Sequence, residues 1–270
     1  MPIFRELFAD AVVEAFMKTV LRMASVLVLG AVAGTSWANG PDAAPLPAVE
    51  TVIERALARA QKEAENDRTF KATYIFTRSK TNEYRNIRGN LTKRRVKTSV
   101  NEPSRRGGED LDVVAIKDST STNRVSSDTS LHKRELLANT NLVQRFTFEL
   151  LGREMVGGRP ALLVEFKPSD KKFPNSSFKE RCLSKVAGRV WLDEEEYAVV
   201  KAEARLTEGI GVVGGLVGAV HKFDFKFDRE RTAEGIWYTR LLTWHLKMRE
   251  VIVERTIDCV ETKTDVRKAH

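Results

Sequence analysis

Few side chains in this 270-residue sequence are spaced for chemistry. The histidines His132, His221, His245 and His270 lie far apart, with no metal-ligand spacing between them. His245, on a strand pattern with no titratable neighbour fixed by sequence, reads as structural. The acidic run Asp193-Glu194-Glu195-Glu196 falls between two strand patterns, where a solvated hairpin tip is expected rather than a metal site. No nucleophile elbow or zinc-binding helix pattern occurs. The glycine-rich run 207–218 (TEGIGVVGGLVG) is a poor phosphate loop, because no Lys-Ser pair and no helix pattern follow it. It reads as an apolar flap or as a plain hairpin connection. No catalytic residue, metal or cofactor is therefore expected, although a site assembled from distant strands stays open.

The elements that would position a site are clearest near the C-terminus. Phe223, Phe225 and Phe227 alternate with Lys222, Asp224, Lys226 and Asp228, the period of a strand with one buried face. A turn at Ala233-Glu234-Gly235 leads into Ile236, Tyr238, Leu242, Trp244, Leu246 and Met248 on one face, broken by Arg240. A third run, VIVERTIDCVE, follows. Upstream, Phe146, Phe148 and Leu150, a turn at Gly157-Gly158, and Leu162, Val164 and Phe166 predict a hairpin. Arg189 to Asp193 and Tyr197 to Leu206 predict two more strands, the second with Ala198, Val200, Ala202, Ala204 and Leu206 on one side. Residues 169–187 read as a polar loop. Val49 to Glu65 carries Val52, Ile53, Ala56, Leu57 and Ala60 at helical spacing, with Asn66-Asp67 as the expected break. Phe70 to Ser79 and Leu91 to Val100 then predict strands. Beyond them, 113–117 reads as a short strand, 119–130 as a loop and 131–139 as a short helix.

Long one-sided strands imply a curved antiparallel sheet with an apolar concavity. Its expected lining is Phe146, Phe148, Val200, Ala202, Phe223, Phe225, Phe227, Trp244 and Leu246. The alternative is that these side chains pack on the Val49–Glu65 helix as ordinary core.

Hydrophobic residues make up 42% and charged residues 30%, which excludes a disordered or multispanning chain. Met17-Lys18 and Arg22, then the apolar run Met23 to Gly34, then Ser36-Trp37-Ala38, have the layout of a signal peptide over residues 1–38, with translation starting at Met17. An uncleaved anchor is the alternative, although a span needs about 20 apolar residues. Residues 39–48 read as a loose leader, 49–265 as a single domain and 266–270 as a tail. No cysteine lies near the cut, so the expectation is a soluble, monomeric periplasmic protein. Export allows a Cys182–Cys259 disulfide, which would close a long loop and stabilise by about 4 kcal/mol; two buried free thiols are the alternative.

The net charge of +8 suits anionic membrane surfaces or acidic partners, with nucleic acid excluded by the compartment. The densest basic region includes Arg78, Lys93, Arg94, Arg95 and Lys97, either a partner-docking patch or a solvated outer sheet face.

The order of parts resembles the outer-membrane lipoprotein-sorting (LolA-like) family of exported bacterial proteins. The resemblance covers roughly Val49 to Lys263. It rests on Gly152, Glu154, Gly158 and Arg159, on Trp191, Leu192, Asp193 and Tyr197, and on Gly235 to Tyr238. It implies an α+β fold, a curved antiparallel half-barrel with helices over its concave face. It also implies a cavity for lipid or lipoprotein acyl chains, and the missing anchor cysteine matches the family's soluble carrier. The competing expectation is an envelope interaction or stress-sensor module on the same fold, docking a membrane-associated protein through its basic face.

Overall fold

The apolar stripe Val52, Ile53, Ala56 and Leu57 forms α1 (Val49–Gln61) and is buried along its length. In this computed structural model, residues 45–103, 111–113, 145–170, 178–212, 218–250 and 252–269 are described. The expected signal segment, the leader before residue 45, and the elements expected within 114–144 lie outside the described residues.

The helical region departs from expectation. It turns at Lys62, and a second helix, α2 (Glu63–Thr73), runs straight through Asn66-Asp67. The Asn66 side chain does not compete for the local backbone, because it is engaged across the fold. Its Nδ2 donates to Trp237 O (2.6 Å), and Trp237 N donates to its Oδ1 (3.1 Å). Phe70 is consequently helical, and its ring stacks on Tyr74, Phe76 and Tyr238 with centroids 4.9–5.3 Å apart.

The strands are β1 (Tyr74–Asn86), β2 (Leu91–Asn101), β3 (Leu111–Val113), β4 (Phe146–Val156), β5 (Arg159–Pro168), β6 (Val186–Asp193), β7 (Val199–Leu206), β8 (Ile210–Val212), β9 (Gly218–Arg231), β10 (Trp237–Glu250) and β11 (Val253–Lys268). A short helix, α3 (Phe178–Leu183), interrupts the expected polar loop. All eleven strands join one antiparallel sheet in the order β3-β2-β1-β11-β10-β9-β7-β6-β5-β4, with β8 paired to β9 off this path. Among the described residues the sheet does not close, since β3 and β4 are not paired with each other. It curves around α1 as a half-barrel, so that one core cluster joins α1 to residues of β4, β5, β6, β7, β9, β10 and β11.

The run read as a flap or a connection contributes β8, whose Ile210 faces Val220 and whose Val212 faces Gly218. It is thus part of a hairpin, and residues 213–217 lie outside the described residues. The expected tail also shortens, because β11 continues to Lys268, opposite Tyr74.

The motifs that carried the family resemblance bond to one another. Arg159 donates to both Asp193 oxygens at 2.6 and 3.1 Å, and Trp191 Nε1 donates to Glu154 at 2.7 Å. Asp193 is only 1% exposed, which departs from the expected solvated tip, whereas Glu195 in the turn beyond it is exposed. Burial works against its charge. The Arg159 guanidinium and the Glu195 and Glu196 backbone N–H groups nonetheless hold its pKa below the usual carboxylate value. Tyr197 closes the turn with φ +56°.

Gly188 sets how closely the core packs. A Cβ there would lie 2.1 Å from Glu203 O and 2.8 Å from the tip of the Phe166 ring. Phe166 therefore lies across the sheet where a side chain would otherwise stand. Gly188→Ala is expected to destabilise by about 2 kcal/mol or more, read as a lowered melting temperature. An unchanged melt would mean that the strands part without strain.

Candidate ligand-binding site

Registered rows of side chains run across the concave face. One row passes from Phe148 through Phe166, Gly188, Ala204, Phe225, Trp244, Cys259 and Asn82 to Arg95. The next passes from Leu150 through Val164, Val190, Ala202, Phe227, Leu242, Glu261 and Lys80 to Lys97. The first row is apolar from β4 through Cys259 on β11 and turns polar at Asn82 and basic at Arg95, whereas the second is apolar from β4 to β10, acidic at Glu261 on β11 and basic at Lys80 and Lys97 on β1 and β2. The concave face is therefore amphipathic along the sheet, not only across it.

Phe146, Ala202, Phe223, Phe225, Phe227, Trp244 and Leu246 share one buried cluster with α1, and Phe148 packs against its edge. Among the described residues these side chains pack directly against α1. Beside α1, among Ala56, Ala60, Tyr197, Val199 and Arg229, about 10 Å³ remains. That volume is at the lower limit for a single water. Among the described residues, α1 therefore lies where the hollow was expected.

Val200 is a correction. Trp191 pairs with Lys201 and Leu192 with Val199, so Val200 is the extra residue of a bulge. The bulge reverses the alternation and sends Val200 to a second cluster with Ala161, Leu163, Trp191, Ala198 and Trp237. Arg240 breaks the β10 pattern for a similar reason, because β9 skips it between Thr239 and Leu241.

The helical cover is pinned at its hinge. Arg229 is buried and donates to Glu63 at 2.7 Å, with side-chain exposures of 3% and 12%. Glu63 also pairs with Arg59 (3.0 Å), and Arg55 donates to the Tyr197 hydroxyl (3.0 Å).

The basic patch expected from the sequence divides between the two faces. Lys93, Arg95 and Lys97 pair with Tyr84, Asn82 and Lys80, and so share the concave side with Arg78. Arg94 faces the other way, 3.6 Å from Glu83. Arg78 makes a bidentate pair with Glu261 (2.8 and 3.0 Å). Burial opposes the Glu261 charge, but Arg78 keeps its pKa below the ordinary carboxylate value. Beside them, Lys263 Nζ donates to Thr239 O (3.2 Å) and lies 5.8 Å from the centre of the Phe76 ring. Glu261 and Lys263 were not singled out from the sequence. Their signal was the alternation Ile257, Cys259, Glu261, Lys263 on one face of β11.

The outer face carries a different row, from Glu149 through Glu165, Arg189, Glu203 and Lys226 to Thr243. A groove of about 400 Å³ opens there over Ala187 and Gly188, between charges of both signs. His245 also faces outward, with Nδ1 2.7 Å from Asp258 Oδ1. Among the described residues, no group of three His, Cys, Asp or Glu side chains is arranged to hold a metal. No described helix is long and apolar enough to cross a membrane.

Neither Cys182 nor Cys259 is in a disulfide, which corrects the expected bridge. Cys259 faces the core from β11 beside Trp244 and Asn82, whereas Cys182 sits on α3. Burial pushes the Cys182 thiol up to about 12.

No protein-family model and no curated protein matches this chain. Among solved structures, a DUF1329 family protein from Desulfovibrio piger is similar, with 14% identity, coverage of 79% of this chain and 93% of that one, and a TM-score of 0.31. A domain assigned to the outer membrane lipoprotein-sorting proteins, from Vibrio parahaemolyticus, has 14% identity, coverages of 80% and 92%, and a TM-score of 0.29. A Pseudomonas aeruginosa MucA/MucB complex structure has 11% identity, coverages of 80% and 99%, and a TM-score of 0.25. The sequence resemblance and the second of these name the same group of proteins.

Two measurements follow. Under denaturing conditions without reductant, two titratable thiols per chain are expected, and the folded protein should react slowly at pH 8; fewer than two would restore the bridge. Burial, with Arg78 adding to it against Glu261, lowers the Lys263 pKa from 10.5 to about 8. A lysine whose folded value lies below its unfolded value destabilises the fold below about pH 8, and that penalty fades as the pH rises toward 10.5. Wild type should therefore gain stability relative to Lys263→Met between pH 8 and 10; parallel stability curves would contradict this.

Proposed function

We propose that this chain is an exported binding protein, not an enzyme. Its ligand would be an amphiphile with an acyl chain and an anionic head, held on the concave face of the half-barrel. The observation carrying this reading is the change of character along the registered rows. Apolar side chains from β4 to β10 lead through Cys259 and Asn82 to Arg95 in one row and through Glu261 to Lys80 and Lys97 in the next, with Arg78 and Lys263 paired beside them. A tail gains about 0.8 kcal/mol for each methylene moved from water to such a surface. A phosphate or carboxylate head would meet cations one or two strands away. The Asn82 Oδ1 at that boundary is buried and accepts no hydrogen bond from a described residue, which suits a head-group hydroxyl or a water.

In this reading α1 occupies the place of the tail. Its buried Val52, Ile53, Ala56 and Leu57 offer the same chemistry that an acyl chain would bring. Entry then requires the helix to move, and the Glu63–Arg229 pair is the latch that holds it. The alternative, a module docking an envelope protein through its basic strands, is less well supported, because the cations divide between two faces.

A fluorescent acyl probe such as a polyene fatty acid tests the reading. Saturable binding near one per chain is expected. Glu63→Gln should speed entry several-fold without changing the stoichiometry, since a broken buried pair weakens the latch. No saturable binding, together with no amphiphile in organic extracts of the exported protein, would falsify the proposal.

A further inference from the structure

Two hairpin ends project side by side from one end of the sheet. Asn86 pairs with Arg255, so the β1–β2 turn begins one residue past the point that β11 reaches three residues after the β10–β11 turn residue Ile252. Ile87 and Ile252 occupy these turns and are 73% and 87% exposed. Leu91 and Val253, near the start of each returning strand, are 49% and 45% exposed. These four account for half of the eight large apolar side chains exposed among the described residues. Stability does not require them there, since none belongs to a core cluster.

The surrounding charge has one sign on the first tip. From residue 84 to 101 there are six cations and no acid. Glu83 at the base of the hairpin engages Arg85 (2.5 Å) and Arg94 (3.6 Å), while Arg88 stands exposed in the turn itself. On the second tip, Arg249 and Arg255 offset Glu250 and Glu254.

We infer that the paired tips dock the protein on an anionic phospholipid surface. Aliphatic side chains on protruding turns have no facing wall, as a fitted protein pocket would provide. They suit a soft interface that admits short apolar anchors to the depth of the head groups. Cations flanking the anchors draw the tips to a negatively charged leaflet. This goes beyond the amphiphile reading and does not depend on it, because the tips can dock whether or not anything enters beneath α1.

The test is hydrogen exchange on the full chain with vesicles of phosphatidylcholine containing roughly one third phosphatidylglycerol, and with phosphatidylcholine alone. Protection of residues 86–92 and 250–254 is expected with the anionic vesicles only, and should fade at high salt. The double variant Ile87→Ser with Ile252→Ser should lower vesicle partitioning about tenfold while melting as the wild type does. Three outcomes overturn the inference: no protection at the tips, equal protection with neutral vesicles, or partitioning unchanged in the double variant. Tip protection that grows with protein concentration in the absence of vesicles would assign them to self-association and overturn it as well. The acyl probe and the vesicle measurement fail separately, so either proposal can fall alone.

Discussion

The structure depends on one helix filling the hollow of one sheet. A strongly curved sheet has more apolar area on its concave face than its own side chains can cover. Unless something lies across Phe223, Phe225, Phe227 and Leu246, that area faces water, at a cost of about 25 cal/mol per Å². Here α1 supplies the cover with four small and branched side chains. Glu63 and Arg229 fix where the cover turns into α2. A buried ion pair adds little net stability, but it specifies position, because leaving either charge alone in the core is costly. That combination suits a cover that is held closed yet can be released.

The same sheet holds two environments without a domain boundary between them. Antiparallel pairing carries each row straight across the strands. The change from aromatic to polar and then basic across β11, β1 and β2 therefore depends on which residues alternate inward on three strands from distant parts of the chain. Arg78 and Glu261 neutralise each other, and Lys263, left in a desolvated place beside them, loses part of its affinity for a proton. Charged groups so close to a dry core are what a site for an anionic head group would require.

The residues with the most recognisable spacing turned out to hold hairpins together. Arg159 with Asp193, and Glu154 with Trp191, tie β4 and β5 to the C-terminal end of β6. Gly188 lets Phe166 lie flat over β6. These are packing and turn requirements, and they mark an architecture rather than a ligand.

Period-two alternation was enough to place β4, β5, β9 and β10, and the 3.6-residue stripe placed α1, because each is a local consequence of burying one face. What local pattern could not supply was everything set by pairing at a distance. The bulge that turns Val200 away depends on its partners on β6. The survival of a helix through Asn66-Asp67 depends on Trp237, 171 residues later. The face taken by Arg94 as against Arg95, and the meeting of Arg78 with Glu261, follow from β1 lying against β11. Whether the concavity stood open or filled was decided by the helix that came to rest in it, because a strand's inward pattern is the same for a core as for a cavity.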